Sequence, residues 1–163
     1  MPEMTPLGWF HTILGMIALV SGLISFLRYG FIQSTHRPGQ IYLAATLITA
    51  ASALGIYNQG GFGIAHVLAL LTLGAMAVGA AAERTSLFGA LSSYAQAVTY
   101  SATFLFHMIP AITDGLLRLP VGNPILDSIE SPILRGFYLA FLALYCAGVA
   151  WQLMTLRKQS QMA

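Results

Sequence analysis

Charge is what this sequence has least of. Asp, Glu, Lys and Arg together make up 7% of its 163 residues, where a soluble domain carries about 25%. So few ions cannot cover a solvated surface, which excludes an ordinary water-soluble globule. The seven basic and five acidic residues leave a net charge of +2 and a pI of about 8.9. No basic run accompanies that balance, so a nucleic-acid footprint is excluded too. Cysteine is nearly absent. The single Cys146 rules out an internal disulfide framework and any CxxC metal or haem-attachment motif. Set in an apolar helix, it reads as a buried, inert thiol. The chain also has no nucleotide-binding loop, HExxH zinc motif or GxSxG elbow, and no internal repeat of useful length.

What the chain has in quantity is hydrocarbon. Hydrophobic residues make up 57% of it, and the mean hydropathy is +0.76. These values describe one integral membrane domain. Apolar stretches at about 7–27, 40–57, 64–82, 92–118 and 132–156 each approach the ~20 residues that cover a ~30 Å hydrocarbon core. The expected fold is therefore all-α: an integral membrane bundle of about five transmembrane helices. The first stretch does not read as a cleaved signal peptide, since no basic region precedes it and no A-x-A-like site follows. Pro38 and Gly39 mark the turn into the second stretch, and Asn58 to Gly63 (NQGGFG) the turn into the third. Thr85 to Leu91 reads as a short interfacial segment, and Ser131 as the cap of the last helix, with Pro132 in its first turn.

Basic residues sort by side. Arg28, Arg37, Arg84, Arg157 and Lys158 fall together, whereas Arg118 and Arg135 share the other side with Glu3, Asp114, Asp127 and Glu130. The positive-inside rule makes the first side cytoplasmic, placing the N-terminus outside and the C-terminus inside. Arg28, Arg37 and Arg84, with Glu83, are then expected to set orientation and meet lipid headgroups. Trp9 and Trp151 near opposite ends fit an aromatic belt.

Polar residues in the spans are not scattered. Gln96, Tyr100, Thr103, His107 and Asp114 follow at spacings of three, four or seven, which on a helix is one stripe. In water this helix would be inside out. In a bilayer it turns its polar edge toward other helices. Tyr100, Thr103 and Asp114 are candidate proton-relay or gating groups, and Pro110 is expected to kink the helix around His107. Gly8, His11, Gly15, Ala18, Gly22 and Ser25 form a small-residue packing stripe on the first span. Tyr138, Tyr145 and Gln152 repeat every seven residues on the last.

Threading the spans puts His11 and His66 each about one turn in from the outer face. His107 lies a little past the middle, with Asp114 nearer that face and Tyr57 and Asn58 close by. Only His36 stays on a cytoplasmic loop. Neutral imidazole suits haem iron, copper or zinc. Two histidines at equal depth on different helices are what a bis-histidine b-type haem requires. His11 and His66 are the candidate metal ligands, and His107 is a third cofactor-binding group or a relay partner of Asp114. Two plainer uses compete with these. A histidine at a helix end often bonds only a carbonyl or a headgroup, and Asp114 with Arg118 reads as an i,i+4 ion pair.

The segments His11–Arg28 (HTILGMIALVSGLISFLR), His36–Tyr57 (HRPGQIYLAATLITAASALGIY) and Gly61–Gly79 (GFGIAHVLALLTLGAMAVG), with Phe106–Pro120 later, carry a likeness. The chain resembles a family of small uncharacterised bacterial integral membrane proteins with an early membrane histidine, a loop HRxGxxY element and a further histidine at a span start. The element is here His36, Arg37, Gly39 and Tyr42. The resemblance implies a bacterial inner membrane and a layout similar to small b-type membrane cytochromes, a likeness of fold alone. Three functions follow as expectations. The first is a haem b or redox-metal site in the outer half of the bundle, serving electron transfer. The second is a carrier or channel for a small ion or solute. The third is a structural or assembly subunit packed against a membrane-protein partner or a second copy.

Overall fold

The computed structural model describes residues 4–57, 61–85 and 87–162; Glu3 and Asn58 lie outside them. Five α-helices follow one another: α1 (Pro6–Tyr29), α2 (Arg37–Ala53), α3 (Ile64–Arg84), α4 (Ser92–Arg118) and α5 (Pro132–Met162), with one 3-10 turn at Gly89–Leu91 leading into α4. No strand occurs among the described residues. The all-helical expectation holds, and α4 has the predicted bounds. The bounds of α2 shift toward the N-terminus. It starts at Arg37 and stops at Ala53, because Leu54, Gly55 and Ile56 tighten into i→i+3 bonds on Ala51, Ser52 and Ala53. α5 runs past Leu156 through a polar tail.

Local chemistry sets the ends. Thr5 Oγ1 accepts the Gly8 N–H at 3.1 Å, and Pro6 opens α1. Gly30 closes it at φ 74°, a left-handed conformation that glycine adopts without a Cβ clash. The α5 cap is the predicted one, with the Ile133 N–H donating to Ser131 Oγ at 3.3 Å. α4 passes through Pro110 as one helix.

α1 packs on α2, α2 on α3, α3 on α4, and α4 touches α1, so four helices close a ring; α5 is added against α4. The predicted stripe of α1 is its packing face: Gly8, Ala18, Gly22 and Ser25 are buried. A Cβ on Gly22 would meet the Tyr42 ring at 2.7 Å and the Phe104 ring at 2.8 Å, so glycine is what allows three helices to meet there. The predicted face of α5 also turns inward. Tyr138 Oη lies 2.6 Å from Thr113 Oγ1, Tyr145 Oη donates to the Val98 carbonyl, and Ser101 Oγ donates to Gln152 Oε1 at 2.9 Å.

This narrow seam corrects one expectation. Cys146 is exposed, not buried, because α5 packs by a single edge and the rest of it, Cys146 included, faces outward.

Burial is inverted relative to a soluble protein. Thr46 and Thr103 are 0% exposed, while Met16 is 62%, Val20 60% and Leu27 78% exposed. Such a surface suits hydrocarbon and not water. Three helices, α1, α3 and α5, are long and apolar enough to cross a membrane. α2 is shorter and α4 carries the polar stripe.

Candidate functional site

The site begins on α2. Tyr42, Thr46, Thr49 and Ser52 stand at spacings of four, three and three, which aligns them on one helical face. Tyr42, Thr46 and Thr49 are buried. The stripe of α4 meets this face from across the ring. Tyr42 Oη lies 2.6 Å from Thr103 Oγ1, and His107 Nε2 lies 3.1 Å from Thr46 Oγ1. Thr46 also stands beside the Tyr42 phenol, and the Tyr42 and His107 rings meet edge to face at 6.2 Å.

From Thr103 the chain of polar groups continues toward the end that carries Arg28, Arg37 and Arg84. Thr103 Oγ1 donates to the Tyr100 carbonyl at 2.7 Å, and Tyr100 Oη donates to Glu83 Oε2 at 3.0 Å. The other oxygen, Glu83 Oε1, accepts the Ser34 N–H at 2.8 Å. Gly79 makes the α3–α4 approach possible, since a Cβ there would overlap the Tyr100 ring. Arg28, Arg37 and Arg84 themselves are exposed.

At the opposite end His11 reaches the same face of α2. Its Nδ1 lies 3.0 Å from the Thr49 carbonyl and 3.2 Å from Ser52 Oγ. The carbonyl can only accept, so Nδ1 carries the hydrogen and Nε2 keeps its lone pair. His11 acts electrostatically on His107, and Asp114 acts on His11. The Asp114 side chain is 57% exposed and pairs with Arg118 at 3.3 Å, the i,i+4 contact expected from spacing. Thr49 Oγ1 is buried with no hydrogen-bond partner.

His66 stands apart. Its Nδ1 accepts the Gly63 N–H at 3.1 Å, which caps the first turn of α3. The rings of Tyr57 and Phe62 lie 4.8 and 5.0 Å from its own. Since Nδ1 accepts, Nε2 holds the hydrogen and offers no lone pair to a metal. That Nε2 is buried without a partner. His11 is thus electrostatically linked to His107 and to Asp114, whereas the contacts of His66 are with Gly63, Tyr57 and Phe62. Among the described residues, no three His, Cys, Asp or Glu side chains are placed to share a metal ion. His36 stacks on Tyr29, with ring centroids 3.9 Å apart and planes 5° from parallel.

Two parts of this seam differ from the sequence expectation. Glu83 reads from its arginine neighbours as a membrane-surface group, yet it terminates the Tyr100 branch. Tyr42 belongs to the HRxGxxY element, and its spacing to Thr46 and Thr49 is the local signal that places it in the seam.

Comparison of the chain with protein-family models, with curated proteins and with solved structures found no match.

Proposed function

We propose that this protein crosses a bacterial inner membrane five times, N-terminus outside and C-terminus cytoplasmic, and carries protons along the polar seam of α2 and α4. His11 and Asp114 stand at the outer end of that path and Glu83 at the inner end. The observation that carries the reading is the hydroxyl–imidazole run Thr103–Tyr42–Thr46–His107, which the Tyr100–Glu83 pair extends toward the inner end. Thr103 meets Tyr100 only at its backbone carbonyl, so a proton passes between these two segments through a mobile water or hydroxyl. The hydroxyls of Tyr42, Thr46 and Thr103 each give and take a hydrogen, and imidazole does so through its two nitrogens. Polar side chains facing a bundle interior are costly to keep in hydrocarbon and mark ion pathways and proton relays. α4, although 27 residues long, is not among the helices apolar enough to cross a membrane by composition alone, which fits a helix that lines a polar path and has less need of an apolar face. The apolar flanks of α1, α3 and α5 then shield it from lipid.

The test is proton flux in liposomes. Wild-type protein should collapse an imposed pH gradient under a potassium–valinomycin potential. His107→Phe, which keeps the volume and removes both nitrogens, should slow the flux by about a hundredfold, the scale of one positioned proton-transfer group. Flux no faster than in protein-free vesicles would refute the path. Topology has its own check. In a Cys146→Ser background, Gln159→Cys should react with an impermeant maleimide only in inverted vesicles, and Ile129→Cys only in intact cells.

One observation favours a second reading. The His11 Nδ1 contact with a backbone carbonyl is the outer-shell arrangement that orients metal-bound imidazoles, so a redox metal or haem b held by His11 with His107 is the rival. Protein purified from its native membrane would then show a Soret or charge-transfer band that disappears in His11→Ala.

A further inference from the structure

The polar stripe of α4 starts at Gln96, one turn before Tyr100, and the path above makes no use of it. Gln96 lines a small cavity of about 40 Å³ together with Ser93 of α4 and Gln33 of the α1–α2 connection; Phe31, Ile32 and Leu156 are among its apolar walls. Positions 93, 96 and 100 follow at spacings of three and four, so the cavity and Tyr100 share one face of α4. Ser93 is exposed and Ile32 is buried. The cavity therefore runs inward from the surface.

Its chemistry is that of a water site. The volume takes about three water molecules. Each glutamine amide offers two hydrogens and a carbonyl oxygen, and neither side chain bonds another described residue. An apolar cavity stays dry, whereas two amides and a hydroxyl supply the partners that a held water needs.

Glu83 is fastened to the same two segments. Tyr100 Oη, one turn on from Gln96, donates to Glu83 Oε2. Glu83 Oε1 lies 2.8 Å from the backbone nitrogen of Ser34. That nitrogen closes the peptide bond of Gln33, so the carboxylate oxygen is within about 4 Å of the Gln33 carbonyl carbon.

We propose that this cavity is the inner mouth of the proton path, where water held by Gln33, Ser93 and Gln96 exchanges protons with Glu83. On exit the carboxyl O–H of protonated Glu83 breaks and its proton joins a lone pair of a cavity water. Hydronium passes Ser93 to bulk solvent and Glu83 is left as carboxylate; uptake is the reverse. Gln33 and Gln96 are positioning residues, which hold the water and carry no proton themselves. The inference rests on the proton-path reading.

Hydroxyl-radical footprinting of the full chain in detergent reads the hydration without reference to flux. Ile32 is 2% exposed, so its oxidation reports cavity water and not bulk water. Wild type should be oxidised at Ile32. Gln96→Leu, of similar volume, should lower that oxidation severalfold and slow liposome proton flux by about tenfold, less than the hundredfold of a group that itself transfers the proton. Gln96→Asn keeps an amide and should restore most of both. Gln33→Leu leaves the main chain that meets Gly39 and Glu83 and should act in the same direction, so the test stands even if Gln96→Leu does not fold. An unoxidised Ile32 in wild type, or wild-type flux in both leucine variants, would overturn the mouth and leave the path. Wild-type flux no faster than in protein-free vesicles would refute the path, and the mouth with it.

Discussion

Gly39→Ala should largely abolish the folded protein in detergent, although it adds a single methyl group. A Cβ at that position would overlap the Gln33 carbonyl, and the next nearest atoms are also Gln33 backbone. Backbone cannot rotate out of the way as a flexible side chain does. The connection around it is also tied down: Ser25 Oγ donates to the Phe31 carbonyl, Ile32 is 2% exposed, and the Ser34 N–H bonds Glu83. Overpacking a close contact costs about 1–3 kcal/mol and more where nothing yields, a large share of a total stability of about 5–15 kcal/mol. Thermal unfolding followed by circular dichroism, with size-exclusion behaviour, measures it. Gly74→Ala is the control, because a Cβ there meets nothing within 4 Å, and its midpoint should match wild type. Equal midpoints for the two variants would mean that the α1–α2 connection is looser than its contacts imply. The same contact explains the glycine of HRxGxxY. The element builds this turn: His36 stacks on Tyr29, Gly39 admits the Gln33 carbonyl, and Tyr42 bonds Thr103.

The second large effect is expected at Glu83. Glu83→Gln should lower proton flux in liposomes by about a hundredfold or more, while the protein remains folded. The carboxylate accepts from both Tyr100 and Ser34. An amide can take one of those hydrogens but presents its own N–H₂ to the other donor, so one contact is lost. Hydrogen bonds between transmembrane helices average about 0.6 kcal/mol, and a drop in midpoint of a few degrees at most should accompany the change. The discriminating measurement is the double variant Glu83→Gln/Tyr100→Phe. If the two residues serve one path, the pair should be little slower than Glu83→Gln alone; if they act separately, their losses multiply. Wild-type flux in Glu83→Gln would remove this residue from the path.

The stripes could be read along the chain because helical periodicity is local. Tyr100, Thr103 and His107 on α4, Ala18, Gly22 and Ser25 on α1, and Gln152 on α5 are all buried as their spacing requires. The neighbours of each stripe are not written along the chain. Depth alone grouped His66 with His11, since both stand about one turn inside a helix end. Yet His66 spends its Nδ1 on its own helix cap and packs its ring on Tyr57 and Phe62, contacts that helical spacing does not specify. Cys146 shows the same limit: an apolar helix can bury a thiol, but α5 packs mainly on α4 and leaves Cys146 exposed.

Composition and spacing by themselves determined that the chain is helical, that its outside is hydrocarbon, and which edge of each helix turns inward. Those properties follow from residue type and a repeat of 3.6, both carried within a few turns of backbone. Tertiary structure decided that α2 and α4 face each other across the ring, that Glu83 closes the Tyr100 branch, and that α5 is added to the ring chiefly against α4. Each of these depends on the rotation and height of one helix against another. Close contacts at Gly22 and Gly79 set those two quantities, and glycine in a sequence does not say which ring will fill the space it leaves.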